Sequence, residues 1–122
     1  MRDHEIAIVG AGPTGLQYAR ELGDEYDVAV YEKDSGVTDR KKSTGGTFSE
    51  LMEQFDIPES VTMSDIDEVV YRSPSTESRV DVDGYVMEYG EFLEYLSEEA
   101  IEAGAELNFD SNVKGYETDG SG

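Results

Sequence analysis

The chain lacks cysteine altogether, and it contains only one histidine, His4. Without cysteine it can form neither a redox-active disulfide nor a cysteinyl flavin link. Cysteine-ligated zinc and iron–sulfur sites are excluded for the same reason. We therefore predict no metal site and expect any redox chemistry to come from a bound cofactor. His4 precedes the first predicted strand, and we expect it to be an exposed terminal residue.

Basic residues are also scarce, because nine Lys and Arg stand against 29 Asp and Glu and leave a net charge of −20. No basic stripe is present that could neutralise phosphates, so nucleic acid is not an expected partner. Self-repulsion of this size destabilises a small domain, and concentrated salt screens it, with a screening length of about 3 Å at 1 M. The composition is typical of a halophile's protein; an ordinary acidic protein is the alternative.

Long apolar runs are missing too, since none approaches the roughly 18 residues of a membrane span. The first residues lead into a strand pattern without the features of a signal peptide. We therefore expect a protein without a transmembrane segment, located in the cytoplasm. Its 122 residues suit one domain.

The most informative segment is IAIVGAGPTGLQYARELG, residues 6–23. Residues 5–9 are short, apolar and β-branched, as in a strand buried in a parallel sheet. Pro13 suits the first turn of a helix that continues to Gly23. Residues 26–32 predict a second strand, so residues 6–32 form a right-handed βαβ unit. This predicts an α/β fold of the Rossmann type.

The glycine spacing between strand and helix is that of a dinucleotide-binding loop, G-x-G-x-x-G. Gly10 allows the tight turn, Gly12 lets the backbone approach a pyrophosphate, and Gly15 brings helix and strand close together. The start of the helix adds free N–H groups and a partial positive charge. Glu32, at the end of the second strand, is placed to accept the ribose hydroxyls and to disfavour a 2′-phosphate. The motif therefore predicts an adenosine diphosphate site, shared by NAD and FAD.

The middle of the chain predicts an antiparallel insertion of about residues 60–88 in this α/β plan. A capping box at Thr47 and Glu50 predicts the start of a helix that ends before Pro58. Strands are predicted at residues 67–72, 79–82 and 85–87, with Gly84 in the last connecting turn.

The last third predicts a helix over residues 90–103 and a strand over 105–109. Residues 113–118 predict a last strand, followed by the hairpin-turn sequence DGSG. We therefore expect residues 1–122 to be the N-terminal portion of a longer nucleotide-binding domain, cut within a hairpin.

The forms GAGPTG, YEK and KKSTGGTF together resemble the FAD-binding start of one flavoprotein superfamily. It includes para-hydroxybenzoate hydroxylase, electron-transfer-flavoprotein dehydrogenases and, most similar, the geranylgeranyl reductases of archaeal lipid synthesis. Residues 84–107 are similar to the stretch of this family in which a strand enters a helix that ends in A-x-x-x-G-A. The resemblance covers essentially the whole chain.

This resemblance implies FAD as the cofactor and reduction of prenyl double bonds by the whole enzyme, with a prenyl lipid partner at the membrane surface. No catalytic residue is assigned, since the family's second flavin contact follows later in those proteins. The implied cofactor contacts are Gly10, Gly12, Pro13, Thr14, Gly15, Glu32, Lys33, Arg40, Lys42, Gly45 and Gly46.

Three other functions stay open at this point. They are an FAD-dependent aromatic hydroxylase, an NAD-binding dehydrogenase domain, and a non-catalytic nucleotide-binding module. For the aromatic side chains of Tyr85, Tyr89, Phe92 and Tyr95, core packing is favoured over a prenyl-binding pocket.

Overall fold

The computed structural model describes residues 4–38 and 45–120 and contains two compact units. The parallel unit comprises Met1–Arg40 and Leu93–Gly122, and the antiparallel unit comprises Lys41–Phe92. In chain order the elements are β1 (Ile6–Val9), α1 (Pro13–Leu22), β2 (Val28–Tyr31), β3 (Gly46–Phe48), α2 (Ser49–Gln54), β4 (Thr62–Arg72), β5 (Glu77–Met87), α3 (Tyr89–Ala103) and β6 (Glu106–Asn108).

The parallel unit contains a three-stranded sheet in the order β1-β2-β6, with both pairings parallel. Its central strand is fully enclosed: Val28 and Ala29 are 0% exposed and Val30 is 1% exposed. Leu16 and Ala19 of α1 are also completely buried, as is Ala100 of α3. The predicted βαβ unit and parallel sheet are confirmed. The expected burial of the first strand on both faces was wrong, because Ala7 is exposed and Val9 is 66% exposed in the edge strand β1.

The antiparallel unit is built on a long hairpin of β4 and β5, with β3 on the other side of β5. The hairpin closes at Ser73, whose N–H donates to the carbonyl of Thr76 at 2.9 Å. Two irregularities in register lie near the base of the hairpin, between Thr62 and Ser64 and between Ile66 and Glu68. The expected antiparallel sheet within an α/β fold is therefore confirmed.

The predicted strand order of this sheet was wrong in detail. Residues 79–82 and 85–87 belong to the single strand β5, and the third strand is β3, from earlier in the chain. Gly84 was predicted in a turn but lies within β5, opposite Phe48. A Cβ at Gly84 would lie 2.4 Å from the carbonyl oxygen of Thr47. The glycine is thus required by close strand approach rather than by a turn.

Two further predictions were wrong. Thr47 lies in β3 and caps no helix; α2 begins at Ser49 after Phe48, without a side-chain capping bond. The predicted strand over residues 113–118 is absent, and these residues are exposed. A strand needs a neighbour for its N–H and C=O groups. Among the described residues, no strand pairs with that segment.

Candidate nucleotide-binding site

The glycine loop begins where β1 ends. Gly10 has φ +101°, a backbone conformation that glycine adopts readily and other residues do not. Its N–H donates to the carbonyl of Tyr31 at 2.8 Å, which ties the loop to the end of β2. The sharp turn predicted at Gly10 is therefore present, and it joins the carboxyl ends of two neighbouring strands.

The start of α1 presents an uncapped helix end. Gly12 is the N-cap and Pro13 the first helical residue, and no side chain caps the helix. The first turn contains no acidic residue. Leu16 N–H donates to the carbonyl of Gly12 at 2.9 Å. The amides of Thr14 and Gly15 precede it, in the turn where helix N–H groups have no acceptor within the helix. This end is therefore suited to an anion.

The three glycines divide into one that packs inside the protein and two that face open space. A Cβ at Gly15 would lie 2.1 Å from the carbonyl oxygen of Gly10. Such a contact is impossible, so helix and strand approach closely only with glycine at this position. A Cβ at Gly10 or Gly12 would meet nothing within 4 Å. The space beside these two residues is left free by the protein itself.

Glu32 lies at the end of β2 and its carboxylate turns to the glycine loop. Oε1 accepts a hydrogen bond from the N–H of Ala11 at 3.0 Å, and Oε2 accepts one from the N–H of Asp34 at 2.8 Å. A carboxylate has about four lone-pair positions, so these backbone hydrogen bonds leave acceptor capacity for further donors. The residue that the sequence singled out is thus fixed beside the loop.

The environment of Glu32 keeps it ionised. Burial acts against the charged form and alone would raise the pKa of Glu32. The backbone N–H groups of Asp34, Ala11 and Lys33 donate to the carboxylate and outweigh burial, so its pKa is lowered from the ordinary value. The nearby Lys33 ammonium lowers it further. A fixed negative charge at this position can accept hydroxyl hydrogen bonds and repels a phosphate.

The remaining predicted contacts are distributed unevenly. Arg40 and Lys42 lie outside the described residues. Gly45 and Gly46 belong to the antiparallel unit. Gly45 has φ +84°, and a Cβ there would lie 2.3 Å from the carbonyl oxygen of Met87. Packing against β5 therefore already requires glycine at position 45, and its contact with a cofactor stays a prediction.

The expectation for His4 was wrong. Its side chain is 4% exposed, with Nδ1 at 3.0 Å from Asp27 Oδ1 and Nε2 at 3.1 Å from Glu106 Oε2. The imidazole joins residues beside β2 and in β6. The sequence showed only a lone histidine near the first strand, and nothing in it indicated that two distant carboxylates would meet there.

The aromatic residues considered for a prenyl pocket do not form one set. Tyr95 belongs to the parallel unit, where its hydroxyl accepts a hydrogen bond from Arg20 at 3.1 Å and donates one to Glu99 at 3.1 Å. Tyr85 belongs to the antiparallel unit and bonds Glu59 at 3.2 Å. Tyr89 and Phe92 contact each other, with ring centroids 6.1 Å apart.

Within residues 4–38 and 45–120, no helix has the length and apolar character needed to cross a bilayer.

Known proteins with similar sequences include two groups of oxidoreductases. The chain is 40% identical over 115 residues to digeranylgeranylglycerophospholipid reductase from Haloferax volcanii, covering 91% of this chain and 28% of the relative. It is 34% identical to a flavin-containing monooxygenase from Arabidopsis thaliana, in an alignment that covers 92% of this chain and 28% of the relative. No family model matches the chain. The haloarchaeal relative agrees with the expectation drawn from the acidic composition.

Comparison with solved structures shows that the fold of this chain is similar to the folds of known proteins. A geranylgeranyl bacteriochlorophyll reductase-like protein from Thermoplasma acidophilum aligns with a TM-score of 0.86 at 21% identity, covering 96% of this chain and 32% of the other. The p-nitrophenol 4-monooxygenase from Pseudomonas putida aligns with a TM-score of 0.77 at 17% identity, covering 93% of this chain and 33% of the other.

The chain spans about 28% of the length of each of these two relatives, the reductase and the monooxygenase. The predicted resemblance is therefore confirmed: the chain is homologous to digeranylgeranylglycerophospholipid reductase over 91% of its own length, and it shares its fold with a geranylgeranyl bacteriochlorophyll reductase-like protein.

Proposed function

We propose that the glycine loop, the start of α1 and Glu32 bind the adenosine diphosphate half of FAD. On this proposal the chain is the N-terminal part of a flavin-dependent oxidoreductase. Bound FAD supplies hydride transfer, and the residues of this chain supply binding and orientation. The name of the flavin-containing monooxygenase that this chain resembles supports a flavin nucleotide as the ligand.

The proposal rests mainly on the hydrogen bond that Oε1 of Glu32 accepts from the N–H of Ala11, with 3.0 Å between nitrogen and oxygen. This contact places one fixed negative charge next to an uncapped helix start and beside two glycines with open space. The helix start favours a diphosphate, and the carboxylate favours the neighbouring ribose hydroxyls. The partial positive charge at the start of α1 and the negative charge of Glu32 thus favour different parts of one dinucleotide.

For the whole protein, we propose reduction of prenyl double bonds in a lipid, on the basis of the relative's name. A prenyl lipid would be reached from the cytoplasm at the membrane surface. A second candidate is a flavin-dependent monooxygenase, favoured by 34% identity over 92% of the chain. Oxygen-dependent oxidation of NAD(P)H stimulated by a phenol would favour the monooxygenase over the reductase.

Calorimetric titration with FAD in multimolar KCl tests the site itself, with Glu32→Ala as the main variant. We expect the chain to bind FAD and Glu32→Ala to weaken binding at least tenfold, equivalent to about 1.4 kcal/mol. Glu25→Ala, which removes an exposed carboxylate, is the matched control and should leave affinity unchanged.

Gly12→Ala is the second variant, because its Cβ meets no protein atom within 4 Å. It should fold as stably as the parent chain and bind FAD less tightly. The proposal is wrong if the chain binds NADH and has no affinity for FAD. It is equally wrong if Glu32→Ala and Glu25→Ala bind FAD alike.

A further inference from the structure

The chain that follows β6 continues to contact the end of β2 beyond the paired strand residues. Regular pairing ends with Tyr31 opposite Asn108. The N–H of Glu32 still donates to the carbonyl of Asn108 at 2.8 Å, and the N–H of Ser111 donates to the carbonyl of Glu32 at 2.8 Å. Both backbone polar groups of Glu32 are therefore bonded to residues 108–111.

This contact contains a one-residue irregularity at Asp110. In a regular parallel pair, a residue bonds to two residues of its neighbour that lie two positions apart, so residue 110 would donate to the carbonyl of Glu32. Ser111 donates to that carbonyl instead, and the N–H of Asp110 donates to the carbonyl of Asp34 at 2.9 Å. One extra residue is thus inserted, as in the β-bulges that often lie next to active sites and change the direction of a side chain.

The backbone of Asp110 has an uncommon conformation. Its φ is +51°, in the left-handed region that residues other than glycine seldom adopt, although Asp is among the more tolerant. Apart from glycines, Asp56 is the one other residue within 4–38 and 45–120 with a positive φ, at +52°. Asp110 is exposed, so burial of its side chain does not require this conformation. Uncommon backbone conformations are retained where the surrounding structure requires them, and they concentrate at functional sites.

Asp34 connects this irregularity to the carboxylate of Glu32. The carbonyl of Asp34 accepts from the N–H of Asp110, and the N–H of Asp34 donates to Oε2 of Glu32 at 2.8 Å. Residues 32–34 are therefore held by residues 108–111 on one side, while Oε1 of Glu32 accepts from the N–H of Ala11 on the other. The position of the carboxylate beside the glycine loop thus depends on the turn at Asp110.

We propose that Asp110 is a positioning residue for nucleotide binding. Its left-handed backbone directs two successive N–H groups to the end of β2 and the loop after it, and so fixes the Glu32 carboxylate for the ribose hydroxyls. The inference rests on the proposed function, which assigns the ribose to Glu32. It gives an exposed residue far from the glycine loop in sequence a part in ribose recognition.

The test is calorimetric titration of the full chain in multimolar KCl with ADP and with 2′-deoxy-ADP. The parent chain should bind ADP more tightly, because a ribose without its 2′-hydroxyl offers Glu32 one donor fewer. Asp110→Val should reduce this preference, since a β-branched residue is strained at positive φ and the turn must move. We expect the ADP affinity to fall about fivefold and the affinity for 2′-deoxy-ADP to fall less. Asp110→Gly, which adopts positive φ without strain, should bind both probes as the parent does.

Asp56→Val is the matched control, because it places the same strain at an exposed residue of the antiparallel unit. It should lower stability and leave the preference for ADP unchanged. In the Glu32→Ala background, Asp110→Val should cause no further loss of ADP affinity, because the carboxylate that it positions is gone. Asp110→Ala imposes a milder strain and covers the case in which Asp110→Val folds poorly.

Four results would overturn the inference. They are equal binding of both probes by the parent chain, an unchanged preference for ADP in the Asp110→Val and Asp110→Ala variants, an equal loss of preference in Asp56→Val, and a further loss of affinity from Asp110→Val in the Glu32→Ala background. FAD titration of the parent chain separates the two proposals. Intact FAD binding with any of these results rejects the positioning role alone, whereas absence of FAD binding rejects the proposed function and the positioning role together.

Discussion

The strands of the parallel unit and of the antiparallel unit differ in how much of them is exposed to solvent. In the parallel unit the middle strand is enclosed, with Val28, Ala29 and Val30 at 1% exposure or less. In the hairpin of the antiparallel unit every residue from 71 to 81 is exposed. The middle strand of a parallel sheet is covered on both faces, whereas an antiparallel hairpin can leave its side chains in solvent.

This difference explains why the polar site and an apolar cavity, of about 260 Å³ between β3, α2 and the hairpin, occur in separate units. Glu32 can hold the amide of Ala11 only because β1 and β2 are fixed side by side, from Ile6 opposite Val28 to Val9 opposite Tyr31. The cavity next to Val69 is lined by uncharged residues, and packing between apolar groups is not directional. Variants in the two units test this contrast.

Gly15→Ala should cause the largest loss of stability. The added Cβ would lie 2.1 Å from the carbonyl oxygen of Gly10, so helix and strand must separate, at a cost of about 3 kcal/mol. Chemical denaturation in high salt measures the change. Gly12→Ala adds the same methyl group in open space and is the control. Equal stabilities of the two variants would contradict the packing role given to Gly15.

His4→Ala should destabilise the parallel unit by about 2 kcal/mol, because it removes the contacts of the imidazole nitrogens with the carboxylates of Asp27 and Glu106. Amide hydrogen exchange by NMR measures the effect locally. Exchange should accelerate in Glu106–Asn108, and exchange in the antiparallel strand β5 serves as the internal control. Equal loss of protection in β6 and β5 would contradict a role of His4 that is confined to the parallel unit.

Glu32→Gln should reduce the acid sensitivity of the parallel unit. The folded pKa of Glu32 is lowered, so its carboxylate stabilises the fold above the ordinary glutamate pKa, and this contribution is lost as the pH falls through the lowered value. The unfolding midpoint, followed between about pH 6 and 3, should therefore fall less steeply in the variant. Glu25→Gln, at an exposed position, should retain the parent slope. Identical slopes for parent and Glu32→Gln would refute this assignment.

Arg79→Ala should have the smallest effect, a loss of about 0.2–1 kcal/mol. Its side chain is 54% exposed and its partner Glu68 is 36% exposed, so water and salt screen the ion pairs. Denaturation at two KCl concentrations measures the loss, with Arg20→Ala as the comparison. Arg20 is 12% exposed and lies against the ring of Tyr95, so its loss should cost more. A larger loss for Arg79→Ala would overturn the view of the hairpin as an open, weakly coupled surface.

The parts that sequence reasoning predicted well are those in which local pattern and tertiary environment agree. From Ile6 to Tyr31, apolar runs, glycine spacing and Pro13 specify strand, turn and helix within a few residues of one another. Glu32 could be singled out because the end of the second strand always lies beside the glycine loop in a right-handed βαβ unit.

The parts that failed depend on partners far away in sequence. Gly84 has the local chemistry of a turn, yet it is needed in a strand because Thr47 passes close to its backbone. Residues 113–118 have the pattern of a strand, yet no described strand accepts them. His4 was expected to be exposed and became buried between two carboxylates from 23 and 102 positions along the chain.

The sequence alone therefore determined the βαβ unit, its glycine loop and the carboxylate beside it, because their geometry follows from contacts within about 30 residues. Three features became visible only in the folded chain: which glycine packs against backbone, where β3 joins the hairpin, and that uncharged residues from β3, α2, β4 and β5 line one cavity. These features arise where segments far apart in sequence come close in space, and such contacts leave no periodic pattern in the sequence.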